Sequence, residues 1–229
     1  MTRSLGSLGA LLAGLYVFYY FAFPTYTHRF RLTFQVEVDG KLKEGSGVIT
    51  VYDQDNQWVP LTQKRWKRTS SGPSPWIDLG GRGVLLVSMG TPFRVSDEPR
   101  PYDASSLSFV AYFNAEHGSP NINSQTVRKI HSQVGARQLH EDQMPAFIWL
   151  ADPLDPNSAQ IVPPESFDDV ISPSMRLVST SVKITKDGPD NSLSAKLPWL
   201  AEMARAQFWA GKPWSQEFKL GAIDILGDR

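Results

Sequence analysis

FRLTFQVEV, residues 30–38, alternates apolar and polar side chains without a break. Successive side chains of a β-strand point to opposite faces, so this stretch predicts a strand with one face in a core and the other in solvent. The turn pair Asp39-Gly40 follows it, and the β-branched run Val48-Ile49-Thr50-Val51-Tyr52 predicts an antiparallel return strand. Gly45 and Gly47 indicate a loop or bulge between the two strands.

A second hairpin is predicted where Gly80-Gly81-Arg82-Gly83 separates residues 76–79 from the apolar run Val84-Leu85-Leu86-Val87. A phosphate-binding loop would have to open a helix, whereas this run is typical of a strand, so the turn interpretation is favoured. Residues 107–113 fit either a strand or a buried helix, and their type stays open.

The remaining elements alternate without a regular βαβ order. We expect Ser124 to cap a short helix that has Val127, Ile130 and Val134 on one face and ends at Gly135. Strands are expected at 146–150, 159–162 and 177–185, the last with Val178, Val182 and Ile184 on one side. A helical turn is expected at 163–170 and a helix at 197–210. This mixture predicts an α+β fold built on a mostly antiparallel sheet with a few helices.

The amino-terminal segment 5–23, LGSLGALLAGLYVFYYFAF, contains no charged residue. As a helix rising about 1.5 Å per residue, it nearly matches a hydrocarbon core of about 30 Å. Its end is crowded with aromatic residues, which favours an uncleaved anchor with an interfacial belt over a cleaved secretory signal, although the signal stays an alternative. We therefore predict an N-terminal transmembrane helix in a membrane anchor over 1–28, which contacts the lipid bilayer through 5–23, and a single α+β extramembrane domain over 29–229.

Gly6, Ala10 and Gly14 are spaced four residues apart in this segment. On a helix they share one face, which would let a second helix pack closely. Small residues are also common in membrane helices for other reasons, so both interpretations stay open.

The charges around the segment do not decide which side of the membrane the domain occupies. Arg3 is the one cation before it, whereas Arg29, Arg31, Lys41 and Lys43 follow closely, and the positive-inside rule would place the domain in the cytoplasm. A short leader with one apolar segment is equally how a signal anchor that exports its carboxyl-terminal domain begins.

Composition excludes several classes of function. The 23 Lys and Arg residues balance 23 Asp and Glu residues, which removes the one-signed field of a general nucleic-acid binder. Without cysteine there is no disulfide, thiolate zinc site or cysteine nucleophile. The four histidines lack metal-ligand spacing, residues 53–56 begin like a calcium loop but have Trp58 where glycine is needed, and the serines have no nucleophile elbow and no convincing His or Asp companions. No metal or cofactor is predicted, and a non-enzymatic domain is favoured.

Four cations surround one indole in Lys64, Arg65, Trp66, Lys67 and Arg68. Tryptophan beside Lys and Arg suits an anionic lipid surface, and a short basic run is also typical of a solvated loop. These five residues are the predicted lipid or partner contact.

Several segments together resemble a family of functionally uncharacterised proteobacterial proteins, each a signal or single-span anchor plus one extracytoplasmic domain. The segments are residues 31–38, Gly45-Ser46-Gly47-Val48-Ile49, Ile77-Asp78-Leu79-Gly80, residues 152–158 and Leu197-Pro198-Trp199-Leu200. The resemblance implies a single-pass inner-membrane protein with its domain in the periplasm, and it carries no established activity or catalytic residue. The expected function is an envelope domain that binds another protein, with an anionic lipid-surface module, or a hydrolase without a recognisable motif, as alternatives.

Overall fold

The computed structural model describes residues 12–14, 17, 23–56, 66–89, 94–95, 98–99, 103–113, 123–140 and 143–202. In the amino-terminal segment, Leu12 to Gly14 and Val17 are helical, whereas Gly6 and Ala10 lie outside the described residues. Among the described residues, none of the helices has the length and apolar character needed to span a bilayer. The anchor over 1–28 and its packing face stay predictions.

The hairpin predicted around Asp39-Gly40 is confirmed. Strand β1 (Thr25–Val38) pairs with β2 (Lys41–Asp55), and both turn residues have positive φ, 53° and 74°. Two such residues give the primed turn whose twist matches that of the flanking strands. The prediction of a loop or bulge at Gly45 and Gly47 is wrong, because both lie inside β2, opposite Phe34 and Leu32.

Gly45 and Gly47 instead let a second sheet approach β2 closely. A Cβ on Gly45 would lie 2.5 Å from the carbonyl oxygen of Trp76 and would overlap the Ile77 side chain. A Cβ on Gly47 would lie 3.1 Å from Pro75. Glycine in a strand interior often marks such an approach of another backbone.

The described strands form two larger antiparallel sheets and one short pair. The five-stranded sheet has the order β3 (Trp66–Ser71), β2, β1, β11 (Met175–Ile184), β8 (Ala136–Gln138), and the four-stranded sheet has the order β10 (Ala159–Val162), β9 (Phe147–Leu150), β5 (Val84–Val87), β4 (Trp76–Asp78). Strands β6 (Arg94–Val95) and β7 (Glu98–Pro99) pair separately. The predicted α+β class and the second hairpin, β4 with β5, are confirmed.

The described helices are short. They are α1 (Leu107–Phe113), α2 (Ser124–Ile130), α3 (Phe167–Val170) and α4 (Ser192–Lys196), with 3-10 turns at 80–82, 104–106, 156–158 and 164–166. Residues 107–113 are therefore a helix. Asn123, not Ser124, caps α2 through its side-chain oxygen, and α2 ends at Ile130, which leaves Val134 exposed.

Two predictions near the carboxyl end need correction. Leu197 does not begin a helix but ends α4 with φ −120° and ψ 79°, because the following Pro198 disfavours helical backbone at the residue before it. Helical structure resumes at Leu200–Glu202, and residues 203–210 lie outside the described residues. Val178 is 45% exposed because the β1–β11 register shifts between Gln35 and Val36, which makes Val178 the bulge residue.

Three apolar clusters hold these layers together. The largest lies between the sheets, where Phe30, Leu32 and Phe34 of β1 meet Leu85 and Phe147. A second covers the opposite face of the four-stranded sheet with Leu193, Leu197 and Leu200. The third joins α1 and α2 through Phe109, Val127 and Ile130. Helices α1 and α2 therefore cover the inner face of the five-stranded sheet near the start of β1.

Replacing Gly45 with alanine tests the close approach of the sheets. We expect Gly45→Ala to lower the free energy of unfolding by about 1 to 3 kcal/mol, because its Cβ meets backbone that has to move. Gly81→Ala is the matched control, since a Cβ there meets nothing within 4 Å and φ is not in the left-handed region. Denaturant unfolding measures both, and equal stabilities would contradict the account.

Candidate functional site

Four polar side chains meet on the inner face of the five-stranded sheet, at the end near Thr25. They are His28 of β1, Asp53 of β2, Arg68 of β3 and Ser108 of α1, and we call them the buried polar cluster. The period of two places them there, since His28 shares the face of Phe30, Asp53 shares the face of Ile49 and Val51, and Arg68 lies directly opposite Asp53.

Hydrogen bonds link the cluster in two pairs. A hydrogen bond of 2.8 Å joins His28 Nε2 to Ser108 Oγ, and Arg68 Nε donates to Asp53 Oδ1 at 2.6 Å. The pairs meet where His28 Nδ1 stands 3.6 Å from Asp53 Oδ2, which is beyond a normal hydrogen bond. The Arg68 guanidinium carbon lies 4.0 Å from the centre of the Phe109 ring, so α1 closes over the cluster.

Burial governs the protonation of this cluster. Burial first, and then the positive charge of Arg68 and the neighbouring His131, lower the pKa of His28 to about 3. Burial raises the pKa of Asp53, although Arg68 opposes that shift through its charge and its hydrogen bond. His28 is therefore neutral at pH 7, and the charged pair of the cluster is Asp53 with Arg68.

The cluster is incompletely satisfied. In the described part of the chain, His28 Nδ1, Asp53 Oδ2 and Arg68 Nη2 are buried without a hydrogen-bond partner. An unpaired buried polar atom costs about 1–3 kcal/mol, and a buried charge that loses its partner costs more. Removing either Asp53 or Arg68 would therefore leave the other as a buried charge without its partner.

Ser108, His28 and Asp53 have the residue types of a hydrolytic triad, and they stand in the same order. In the sequence, no serine has a convincing His or Asp companion, and the geometry around Ser108 is therefore compared with that of a triad. Three observations nevertheless favour a packed structural cluster. Ser108 has 0% of its surface exposed, Asp53 is too far from His28 Nδ1 to orient it, and the other Asp53 oxygen is held by Arg68.

The predicted contact at 64–68 is divided by the strand that contains it. Lys64 and Arg65 lie outside the described residues, and Trp66, Lys67 and Arg68 begin β3. Lys67 is exposed on the outer face and Trp66 is half-buried, with its ring 6.2 Å from that of Tyr26. The Arg68 side chain is only 8% exposed, so it must be removed from the predicted lipid or partner contact, because alternation in a strand turns it inward.

A second site is an open groove of about 450 Å³ where β2, β4 and the start of α4 meet. It is lined by Lys43, Glu44, Gly45, Ser46, Trp76, Ile77, Asp78 and Ser192, and we call it the open groove. Lys43 Nζ donates to the Asp78 carbonyl at 2.8 Å, and Trp76 Nε1 donates to Ser192 Oγ at 3.3 Å. Lys196 pairs with the Asp78 carboxylate and lowers its pKa. The groove thus presents an indole and both signs of charge in one place.

Neither site was evident in the sequence, because each joins residues that are distant along the chain. Extending the alternation of 30–38 backwards would have placed His28 inward, and extending 48–52 forwards would have placed Asp53 beside it. In the part of the chain that the structure describes, no group of three or more His, Asp or Glu side chains is arranged to hold a metal ion.

No protein-family model, no curated protein and no solved structure matches this chain. The resemblance to the proteobacterial anchored proteins therefore stays a prediction, and the function has to be argued from the two sites themselves.

The pH dependence of stability tests the state of His28. The unfolded chain takes up a proton on this histidine near pH 6.5, whereas the folded chain does so near pH 3. The free energy of unfolding should therefore fall as pH drops below 6.5, by up to about 1.4 kcal/mol per unit. Asp53 acts in the opposite direction because its pKa is raised, so His28 is assessed by comparing the wild type with His28→Gln.

Denaturant unfolding between pH 7 and pH 5 gives the two slopes. We expect a shallower slope for His28→Gln than for the wild type. Identical slopes for the wild type and His28→Gln would show that His28 is protonated as readily in the folded chain as in the unfolded one.

Labelling with a fluorophosphonate tests whether Ser108 is a nucleophile. Because Ser108 is fully buried, we expect the folded wild type to be labelled no more than Ser108→Ala. Labelling of the wild type that disappears in both Ser108→Ala and His28→Gln would instead make the cluster a catalytic triad. Mass spectrometry of the labelled peptides locates the modified residue.

Proposed function

We propose that this chain is a membrane-anchored, non-enzymatic domain that binds another protein, and that an extended segment of the partner lies in the open groove. The observation that carries the proposal is the groove itself, with its Trp76 wall and the neighbouring side chains of Lys43, Glu44 and Asp78. In this proposal the anchor is residues 5–23, and the domain lies on the periplasmic side of a bacterial inner membrane.

The shape of the groove favours a polypeptide over a small molecule. Small-molecule sites enclose most of their ligand, whereas a groove open along one side leaves part of its occupant in solvent. A polypeptide segment has further residues that contact the rim, so it binds an open groove without being enclosed. Tryptophan is among the residues that most often dominate the energy of protein interfaces.

The polar groups of the groove suit a segment with charged or hydrogen-bonding side chains. Glu44 and Ser46 are exposed and offer a carboxylate and a hydroxyl, and Gln35 Nε2 holds the Glu44 carboxylate at 3.0 Å. Lys43 and Trp76 already donate to Asp78 and Ser192, which fixes the positions of the cation and the indole before binding. Preorganised side chains lose less conformational entropy when a partner binds.

The buried polar cluster supports a binding role over a catalytic one. Its groups of catalytic type are packed between β1, β2, β3 and α1, and Phe109 covers the Arg68 guanidinium.

Site-specific photocrosslinking of the full chain in cells tests the proposal. A photoreactive residue at Ser46 should give a discrete protein adduct, because Ser46 lines the groove, whereas the same residue at the exposed Val134 should not. Glu44→Lys should reduce the Ser46 adduct severalfold, since it reverses an exposed charge in the groove without touching the core. Mass spectrometry identifies the crosslinked partner.

The proposal fails if a photoreactive residue at Ser46 gives no adduct. It also fails if the Ser46 adducts are the same as those at Val134 and are not reduced by Glu44→Lys. Circular dichroism of the purified Glu44→Lys protein shows that a lost adduct does not come from unfolding.

A further inference from the structure

Cations gather on the outer face of the five-stranded sheet, at the end where β1 begins. They are Arg29 and Arg31 of β1, Lys67 of β3 and Lys183 of β11, and together with the exposed Lys186, which follows the paired residues of β11, we call them the basic face. The register places the four strand cations on one side, since Arg31 lies directly opposite Lys183, and Lys67 follows Thr25 and Gln54 in a row across three strands.

At this end, the described strands place no carboxylate on the outer face, because Asp53 and Asp55 of β2 are buried on the inner side. The other described outward positions there are uncharged; they include Thr25, Thr27, Tyr52, Gln54, Thr69, Ser181 and the buried Val48 and Thr50. The outward carboxylates Glu37 and Glu44 lie at the opposite end, near the Asp39-Gly40 turn. Arg176 pairs with Glu37 at that end, so the excess of positive charge on the outer face lies at the end where β1 begins.

The loop after β11 neutralises part of the positive charge. Arg31 donates to the Asp187 carboxylate at 2.9 Å, and this hydrogen bond lowers the pKa of Asp187. Asp190 accepts a hydrogen bond from the backbone of Ser192, at the start of α4. Arg31 and Lys183 lie directly opposite each other, and two like charges in such a pair destabilise a sheet. The nearby Asp187 carboxylate offsets part of this repulsion.

Three cations of the face have no ion pair in the described part of the chain. Lys67 and Lys186 are exposed, and the Arg29 guanidinium donates only to the Lys186 carbonyl oxygen, at 3.5 Å. Tyr52 is exposed on the same face and has the amphipathic ring that favours a membrane interface.

We infer that the basic face lies against the anionic headgroups of the bilayer that holds residues 5–23. The inference rests on the anchor in the proposed function, because β1 begins at Thr25, two residues beyond that segment. A Lys or Arg is attracted to an anionic membrane only within about a Debye length, roughly 8–10 Å, so a cationic face so close to the anchor is where the attraction acts. Arg68, which the sequence analysis placed at the lipid surface, is not part of this contact. The contact instead includes Arg29, Lys183 and Lys186.

Fluorescence energy transfer in proteoliposomes tests the inference on the full chain. Since the chain has no cysteine, a single cysteine at Thr69 or at the exposed Leu154 gives one unique dye site on the basic face or away from it. The acceptor is a headgroup-labelled lipid. The vesicles contain phosphatidylcholine alone or phosphatidylcholine with phosphatidylglycerol.

We expect phosphatidylglycerol to raise transfer from position 69 roughly twofold at low salt, with the rise lost at high salt and little change at position 154. The double variant Arg29→Gln/Lys183→Gln should abolish the rise, whereas Lys41→Gln, at the opposite end of the sheet, should leave it unchanged. Lys67→Gln/Lys186→Gln is a second, independent variant if the first does not fold.

Energy transfer that does not increase with phosphatidylglycerol overturns the inference. An increase that persists in both double variants also overturns it. Alkaline carbonate extraction of the same proteoliposomes reports separately on the anchor. A chain that is extracted while transfer still follows lipid charge has no anchor but has a lipid-binding face. A chain that resists extraction while energy transfer does not depend on lipid charge has an anchor but no lipid-binding face.

Discussion

Strand β1 has to pair along both edges and bury one of its faces, and the other elements are arranged around that requirement. Its inward residues Phe30, Leu32 and Phe34 form the floor of the core between the sheets, and β2 and β11 complete its hydrogen bonds on either side. A strand paired on both sides has no freedom to slip, because a shift of one residue would put arginine and glutamine into the core. The same register places His28 beside Asp53 and sets Arg29 and Arg31 on the opposite face.

The parts of the fold that could be predicted from the sequence are those that local patterns determine. The turn at Asp39-Gly40 and the strands beside it depend on alternation and on two residues with positive φ, and both hairpins were predicted. Gly45 was misread because its reason lies in Trp76 and Ile77, which cross β2 from another sheet. Val178 was misread because a bulge shifts the register by one residue, and no local pattern shows a bulge.

The candidate sites could not be predicted for the same reason, because they depend on pairing between residues that are distant along the chain. A run of basic residues looks like one patch in the sequence, yet a strand divides it, so that Lys67 faces solvent while Arg68 pairs with Asp53 inside. Desolvating the guanidinium is tolerated because a carboxylate lies directly across the strand pair and an aromatic ring lies over it. Recognising this in advance would have required the pairing of β2 with β3, which is the information that a single sequence lacks.

The open groove and the basic face adjoin on one sheet, since Arg31 of the basic face donates to the hydroxyl of Ser46, which lines the groove, at 3.5 Å. The groove residues Lys43 to Ser46 pair with Val36 to Thr33 of β1, whereas the basic face begins near Thr25. At roughly 3.3 Å per residue, eight to eleven residues of strand put the groove about 25–35 Å from the start of β1. A sheet that meets the headgroups at the start of β1 would therefore leave the Lys43 end of the groove away from the lipid surface, where a second protein can reach it. Because Gly45 lets β4 pack directly on β2, this spacing is set by sheet packing and not by a flexible linker.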